Sequence, residues 1–311
     1  RPWRYAVFKL RNLSVCSLVL TLLVVAGVAR TSSAGHETPV TLAYVEWSSE
    51  VASTNLVKAV IQEKLDRPCR IVAMSADEMW RAVAQGSVDG MVSAWLPGTQ
   101  SEYLQRYEDQ VIDLGPNLEG TRIGLVVPKV TTGRQTAGSG LENEPYIPVT
   151  SIAELPEYAD KFDGKIIGID PEAGIMHRTE EALRAYGLHN YTLVSGSEVA
   201  MTAELADAIR KRQWVVVTGW EPHWMFARWR LAFLDDPKEV FGGREAIHTV
   251  VRSDLREDMP DVYRFLDNFQ WTSEDMEQLM LWIEERKGVY PYESARRWIR
   301  YHKDQVASWL P

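Results

Sequence analysis

The sequence predicts an α/β protein of two lobes, each a mostly parallel sheet flanked by helices. Strand and helix patterns alternate along nearly the whole chain, and strands separated by helices form parallel sheets covered on both faces. About 280 residues follow position 34, which suffices for two lobes. Only Cys69 lies in that part, so we expect the core to stabilise the fold without disulfides.

The first half of the chain predicts three strands and two helices. Residues 41–46 form a β-rich run. The helical pattern that follows places four apolar side chains on one face: Leu56, Val57, Val60 and Ile61. Ser75 and Glu78 have the spacing of a capping box, which predicts that a second helix begins there. The next two apolar runs predict strands over 88–94 and 123–127.

The second half continues the alternation and ends in helices. Strands are predicted over 165–169, 192–194 and 214–218, and helices over 179–186 and 199–210. One C-terminal helix face is formed by Met276, Leu279, Met280 and Ile283. A second face is formed by Ala295, Trp298, Ile299, His302 and Val306.

The lobe boundaries follow from the loop-rich stretch at 129–150 and from a strand predicted over 247–252. The loop-rich stretch is the expected transition between lobes or a surface excursion, and the later strand can return the chain to the first lobe. We therefore assign 38–126 together with 245–311 to lobe one, and 127–244 to lobe two.

The first 34 residues have the order of a secretory signal peptide. Four basic residues precede an apolar run over 13–29, and small residues at 32–34 offer a cleavage site. An uncleaved membrane anchor is the alternative, since the apolar run approaches the length of a spanning helix. Cys16 has no small-residue box before it, which disfavours a lipoprotein anchor. We expect export with cleavage after Ala34.

Charge and motif content exclude several function classes. Removing residues 1–34 lowers the net charge from −9 to about −14, and so acidic a chain lacks the basic stripe of a nucleic-acid binder. No metal-binding histidine pair, nucleophile elbow or phosphate-binding loop is present. We therefore expect no catalytic residues, no metal and no cofactor, and an enzyme whose catalytic residues are dispersed along the chain is the alternative. We also expect a monomer.

Twelve tryptophans are more than an average composition provides, and three of them stand apart. Six are expected to pack in helices and cores: Trp214, Trp229, Trp271, Trp282, Trp298 and Trp309. Trp47, Trp95 and Trp220 instead follow or end predicted strands, where ligands of open α/β sheets bind. Indole faces brought together there would hold a quaternary ammonium ion through cation–π contacts. Position alone leaves plain packing open as the alternative.

Residues 165–175 predict a place for an anion. The segment runs from a strand through Asp170-Pro171 to a helix start, where backbone amides are free and the helix dipole favours negative charge. The amides of Gly174 and Ile175 could hold a carboxylate, and a glycine permits close approach of the backbone. An ordinary strand–helix turn is the alternative. A cation cage together with an anion site would suit a small zwitterion.

Several segments resemble the glycine betaine/proline betaine substrate-binding proteins of ABC importers. They are 44–55 (YVEWSSEVASTN), 93–97 (SAWLP), 113–117 (DLGPN), 124–128 (GLVVP), 168–176 (GIDPEAGIM) and 217–226 (VTGWEPHWMF). The resemblance implies a periplasmic-binding-protein clamshell and an ABC permease as partner. It also implies a tryptophan prism of Trp47, Trp95 and Trp220, with the carboxylate of the ligand on the amides of Gly174 and Ile175.

Gln100 departs from the pattern of that family. Some members carry a histidine at this position, where it helps to hold the carboxylate. Glutamine can donate a hydrogen bond but carries no positive charge. Choline, carnitine and proline betaine therefore remain alternatives to glycine betaine. His223 and Trp224 are expected to support the wall at Trp220 rather than to touch the ligand.

Overall fold

The computed structural model describes residues 38–130 and 145–311. The predicted signal peptide and most of the loop-rich stretch lie outside the described residues. Among the helices of the described ranges, none is long and apolar enough to cross a membrane.

The strands and helices alternate as the patterns predict. The strands are β1 Val40–Tyr44, β2 Cys69–Ala73, β3 Gly90–Leu96, β4 Val111–Pro128, β5 Lys165–Ile167, β6 Thr192–Val194, β7 Val217–Glu221, β8 Leu231–Phe233 and β9 Glu245–Arg252. The first helices are α1 Ser48–Lys64, α2 Ala76–Ala84, α3 Ser101–Tyr107, a 3-10 segment Ile152–Phe162, α4 Gly174–Ala185 and α5 Glu198–Lys211. They are followed by α6 Trp224–Arg228, α7 Leu255–Asp258, α8 Pro260–Asn268, α9 Ser273–Glu284, α10 Pro291–Tyr301 and α11 Lys303–Trp309.

The strands lie in the order β2-β1-β3-β9-β4-β7-β5-β6, and β8 pairs with β4. The strands at both ends of this order pair in parallel: β1 pairs with β2 and β3, and β5 pairs with β6 and β7. Helices connect these strands along the chain, as parallel pairing requires. The central strands β9 and β4 pair antiparallel with their neighbours. The α/β fold is therefore a mixed sheet, with parallel pairing at both flanks.

Strand β4 joins the two halves of the sheet. Its residues 111–121 pair with β9, whereas 122–126 pair with β7 and 126–128 with β8. The register with β9 shifts three times, and Gly115 and Gly120 have positive φ angles of 91° and 83°. Such bulges bend a strand and increase its twist, so β4 curves from one half to the other. Pro116 and the glycines indicate a turn in the sequence, which is why only 123–127 was predicted as strand.

Local sequence signals account for the helix starts and faces. Ser75 caps α2 through the complete predicted capping box with Glu78, and Thr272 caps α9 in the same way through Asp275. The predicted apolar face of α9 is buried. The second predicted face is divided between α10 and α11, because the chain leaves helical geometry at His302.

Two predicted boundaries near the site differ from the structure. The strand predicted over 214–218 is Val217–Glu221, so Trp220 and Gly219 lie inside β7 rather than after it. Val215 and Val216 look β-forming but precede the ladder, and hydrogen bonds to neighbouring strands decide where a strand begins. The helix predicted from 179 begins at Gly174.

Candidate ligand-binding site

A cavity lies where the carboxyl ends of several strands meet. All six residues predicted to bind a ligand line it: Trp47, Trp95, Gln100, Gly174, Ile175 and Trp220. The structure therefore brings together side chains that lie far apart in the sequence. Among the described residues that line the cavity, none is charged.

The three tryptophans reach the cavity from different elements. Trp47 lies between β1 and α1, and Trp95 and Trp220 are each the last residue but one of a strand, β3 and β7. Each of the latter two stands two residues before a proline that follows a cis peptide bond, Leu96-Pro97 and Glu221-Pro222. All three indoles are at most 8% exposed. Desolvated aromatic faces attract a cation more strongly than faces in water do.

The indole of Trp47 is oriented by Asp170. Its Nε1 donates to Asp170 Oδ2 over 2.8 Å. Because the indole N–H is the only polar group of this side chain, the bond satisfies it and leaves the ring face available for an apolar or cationic ligand group.

The indole of Trp220 is supported by His223. The two rings meet edge to face, with centroids 4.7 Å apart and an interplanar angle of 80°. The His223 side chain is fully buried, and its Nδ1 accepts from the Met225 amide over 3.0 Å. The ring proton therefore resides on Nε2, which lies 3.1 Å from Glu198 Oε1. This contact does not have the geometry of a hydrogen bond, so the neutral imidazole lies beside the carboxylate without a directional bond to it.

The oxygen of the Gln100 side chain is held by two donors of the protein. Its Oε1 accepts from Trp80 Nε1 over 3.0 Å and from the Trp95 amide over 3.3 Å. Since an indole N–H can only donate, the oxygen must face Trp80. The amino group of Gln100 has no acceptor among the described residues and is the end available as a donor at the cavity.

The start of α4 presents free amides. The N-cap residue Ala173 has extended backbone, and its carbonyl accepts from the amides of Met176 and His177. The amides of Gly174 and Ile175 have no acceptor within the described ranges. The first amides of a helix lack intrahelical partners and point along the positive end of its dipole. This end of the cavity can therefore bind an anion.

Gly174 is packed against another segment of the chain. A Cβ at this position would lie 2.1 Å from the Thr99 carbonyl oxygen. Thr99 is itself held by Glu245, which accepts from its amide over 2.7 Å and from its hydroxyl over 2.6 Å. Because Gly174 has no side chain, the Thr99 backbone can pack against it. This role adds to the close approach of a ligand that the sequence predicts.

The polar side chains that line the cavity are few. The hydroxyls at the cavity belong to Ser49 and Thr99, and none of the described titratable groups lines it. In the described ranges, no cluster of three or more histidine, cysteine or acidic residues could hold a metal ion. The arrangement can bind a small molecule with a cationic and an anionic end.

Sequence reasoning missed three residues that hold the site in place. Trp80 is fully buried in α2 and orients Gln100, Asp170 orients Trp47, and Glu198 approaches His223. Trp80 lies on an ordinary amphipathic helix, and Glu198 has the position of an acidic residue in a first helical turn. Neither pattern differs from that of a purely structural residue, so no sequence signal could have identified Trp80 or Glu198.

Comparison with known proteins identifies the family. Residues 38–301 match the family described as the substrate binding domain of ABC-type glycine betaine transport system. The chain is 46% identical over 155 residues to the glycine betaine/carnitine transport binding protein GbuC of Listeria monocytogenes. That match covers 49% of this chain and 51% of the relative, so it spans about half of each protein.

Solved structures resemble the chain over most of its length. The glycine betaine, L-proline ABC transporter binding protein ProX from Borrelia burgdorferi is 37% identical, with a TM-score of 0.80, over 88% of this chain and 97% of that one. Lactococcal OpuAC, in its closed-liganded conformation with glycine betaine, is 39% identical, with a TM-score of 0.79, over 88% and 100%. The chain therefore belongs to the family of substrate-binding domains of ABC-type glycine betaine transport systems and has their clamshell α/β fold.

Proposed function

We propose that this protein captures glycine betaine, or a related quaternary-ammonium solute, outside the cytoplasm and delivers it to the permease of an ABC importer. The observation that carries the proposal is the cavity itself, which has three tryptophan walls, two free helix amides and no charged side chain among the described lining residues. Membership of the family supports the importer as partner. We further propose a monomer that is exported to the periplasm by a cleaved signal peptide at 1–34.

The cationic end of the ligand would bind to Trp47, Trp95 and Trp220. A trimethylammonium group cannot donate an N–H hydrogen bond, so aromatic faces are the groups that recognise it. One desolvated cation–π contact contributes about 2 kcal/mol. Three contacts would supply about 6 of the roughly 8 kcal/mol that correspond to micromolar affinity. The tryptophan walls are thus the larger part of the expected binding energy.

The anionic end would bind to the amides of Gly174 and Ile175 and to the amino group of Gln100. Hydrogen bonds to a charged group contribute about 1.5–3 kcal/mol each, and a helix N-terminus adds a favourable field. All three donors are neutral, so the site would hold a carboxylate without any cationic side chain. Carnitine and proline betaine also carry a carboxylate, whereas choline does not.

The two ends of the ligand would contact different lobes. We propose lobe one as 38–126 with 245–311, and lobe two as 127–244. The pairing of β4, first with β9 and then with β7, supports a transition near the end of that strand. Lobe one then supplies Trp47, Trp95 and Gln100, and lobe two supplies Trp220 with the α4 amides. A ligand that touches both lobes favours the closed state over the open one.

We propose binding without catalysis, a metal or a cofactor. A calorimetric panel of glycine betaine, proline betaine, carnitine and choline tests the proposal. At least one carboxylate-bearing solute should bind with an affinity in the micromolar range, on the order of 8 kcal/mol, and more tightly than choline. No heat from any of the four solutes would refute it, and recovery of altered solute by mass spectrometry would point to an enzyme instead.

Replacement of one cage wall tests the site. Trp220→Ala should weaken binding about thirtyfold or more, because one contact of about 2 kcal/mol is lost. Trp282→Ala is the matched control, since Trp282 lies on α9 against Tyr301 and should leave affinity unchanged. Equal affinities of the two variants would remove Trp220 from the site.

A further inference from the structure

Ser48 and Glu198 form a contact beside the cavity. Neither residue belongs to the tryptophan walls or to the donors proposed for the anion. The Ser48 amide donates to Glu198 Oε2 over 2.8 Å, and the Ser48 hydroxyl donates to Glu198 Oε1. The two residues are 150 positions apart. In the proposed lobes, Ser48 belongs to lobe one and Glu198 to lobe two.

The environment of Glu198 makes this contact strong. The residue is only 4% exposed. Burial acts to raise the pKa of its carboxyl, but the neighbouring His223 and the two Ser48 donors favour the carboxylate and hold that pKa below its ordinary value. Hydrogen bonds to a buried charge are stronger than those to neutral or solvated groups. By comparison, the Arg228–Glu284 pair also joins the proposed lobes but is 3.4 Å long and exposed, so it contributes little.

The contact is connected to two cage walls. Ser48 directly follows Trp47, and the Ser48 hydroxyl also accepts from Trp224 Nε1 over 3.0 Å. On the other side, Glu198 lies 3.1 Å from His223 Nε2, and the His223 ring packs edge to face on Trp220. The Glu198 carboxylate therefore lies between the backbone next to Trp47 and the His223 ring that supports Trp220.

We propose that Glu198 is a positioning residue that fastens the two lobes around bound ligand and thereby slows ligand release. This proposal rests on the proposed function and on the proposed lobes. Glu198 is absent from the cavity lining, so it acts through Ser48 and His223 rather than by touching the ligand. Because the contact forms on closure, after the ligand has entered, it should govern the dissociation rate and leave the association rate nearly unchanged.

Substitutions of Glu198 test the proposal from lobe two. Stopped-flow tryptophan fluorescence with glycine betaine measures association and dissociation separately. Glu198→Ala should raise the dissociation rate at least about tenfold, because charge-assisted bonds are lost. Glu198→Gln keeps an acceptor for the Ser48 donors and should recover part of the loss. Glu204→Ala, an exposed acid on the same helix, is the matched control and should release ligand as the wild type does.

Substitutions of Ser48 test it from lobe one while Glu198 itself is kept. Ser48 is the first residue of α1, and Trp47 before it has extended angles, φ −91° and ψ 144°. Proline is well tolerated at this helix position and after such a residue. Ser48→Pro removes both donors and should raise the dissociation rate more than Ser48→Ala, which removes only the hydroxyl. The melting temperatures of the ligand-free variants should stay near that of the wild type.

The outcomes separate the two proposals. Small-angle X-ray scattering at saturating ligand should show a less compact Ser48→Pro protein than the wild type. Unchanged dissociation and compaction in Ser48→Pro would overturn the role of Glu198 while leaving the proposed function intact, and this holds even if Glu198→Ala fails to fold. Wild-type protein that binds none of the four solutes would overturn both.

Discussion

The two ends of the Gln100 amide have different surroundings: the oxygen accepts from Trp80 and from the Trp95 amide, and the amino group has no acceptor among the described residues. Gln100→Glu keeps an oxygen for both donors but replaces the amino group with a second, negatively charged oxygen. We expect glycine betaine to bind about tenfold to a hundredfold more weakly, because a charge-assisted bond becomes a repulsion. Choline carries no carboxylate and should lose no affinity. Calorimetry with both ligands checks this, and equal losses would place the carboxylate elsewhere.

Glu50, in the first turn of α1, links stability to pH. One carboxyl oxygen accepts from the Val45 amide over 2.7 Å, and the other has no partner among the described residues. Burial raises the pKa of Glu50 to about 8, against an ordinary value of 4.5. The folded state therefore retains a proton that the unfolded chain loses. This contribution to stability is complete below pH 4.5 and is lost as the pH rises through 8.

Glu50→Gln removes that pH dependence while keeping a neutral acceptor for Val45. The wild type should lose stability between pH 5 and pH 8, whereas the variant should not. The unfolding free energy of the variant minus that of the wild type should therefore rise by a few kcal/mol over this range, since each pKa unit corresponds to about 1.4 kcal/mol. Urea unfolding at both pH values measures the difference, with the exposed Glu204→Gln as control. A difference that stays constant with pH would show that Glu50 is ionised in the folded protein.

At the scale of elements, the site depends on where α4 begins. Its first residue, Gly174, packs on the Thr99 backbone, and Glu245 fixes Thr99. Gly174→Ala should displace the helix start and its two free amides, and weaken glycine betaine binding at least about tenfold through loss of charge-assisted bonds. Gly196→Ala is the control, since its Cβ would meet nothing closer than 3.7 Å. Fluorescence titration of both variants compares them, and equal affinities would contradict the close packing.

The whole molecule should be stabilised by its ligand. A ligand that binds only the folded state at a hundred times its dissociation constant adds about 2.7 kcal/mol to the free energy of unfolding. For a chain of this size that corresponds to a rise of about 5 °C or more in melting temperature. Differential scanning calorimetry with glycine betaine measures the rise. Trp220→Ala at the same ligand concentration should show a much smaller one, and an equal rise would indicate binding outside the cavity.

Local patterns in the sequence predicted the elements that depend on local interactions. The capping box at Ser75 and the buried face of α9 follow from residues within one or two turns, so short-range spacing is sufficient. The three tryptophans at strand ends were identified because strands of a parallel sheet end at one edge. The family resemblance then favoured a ligand cage over plain packing for these three tryptophans.

The sequence by itself determined the α/β class, the alternation of elements and the aromatic and amide-bearing residues that line the cavity. Tertiary structure decided the rest, because those features depend on segments that are distant in the chain. Pairing with β4 sets the limits of β7, and the bond from Trp80 fixes the position of the Gln100 oxygen. Glu198 shows no local sign of its contact with Ser48, since only folding brings together residues 150 positions apart.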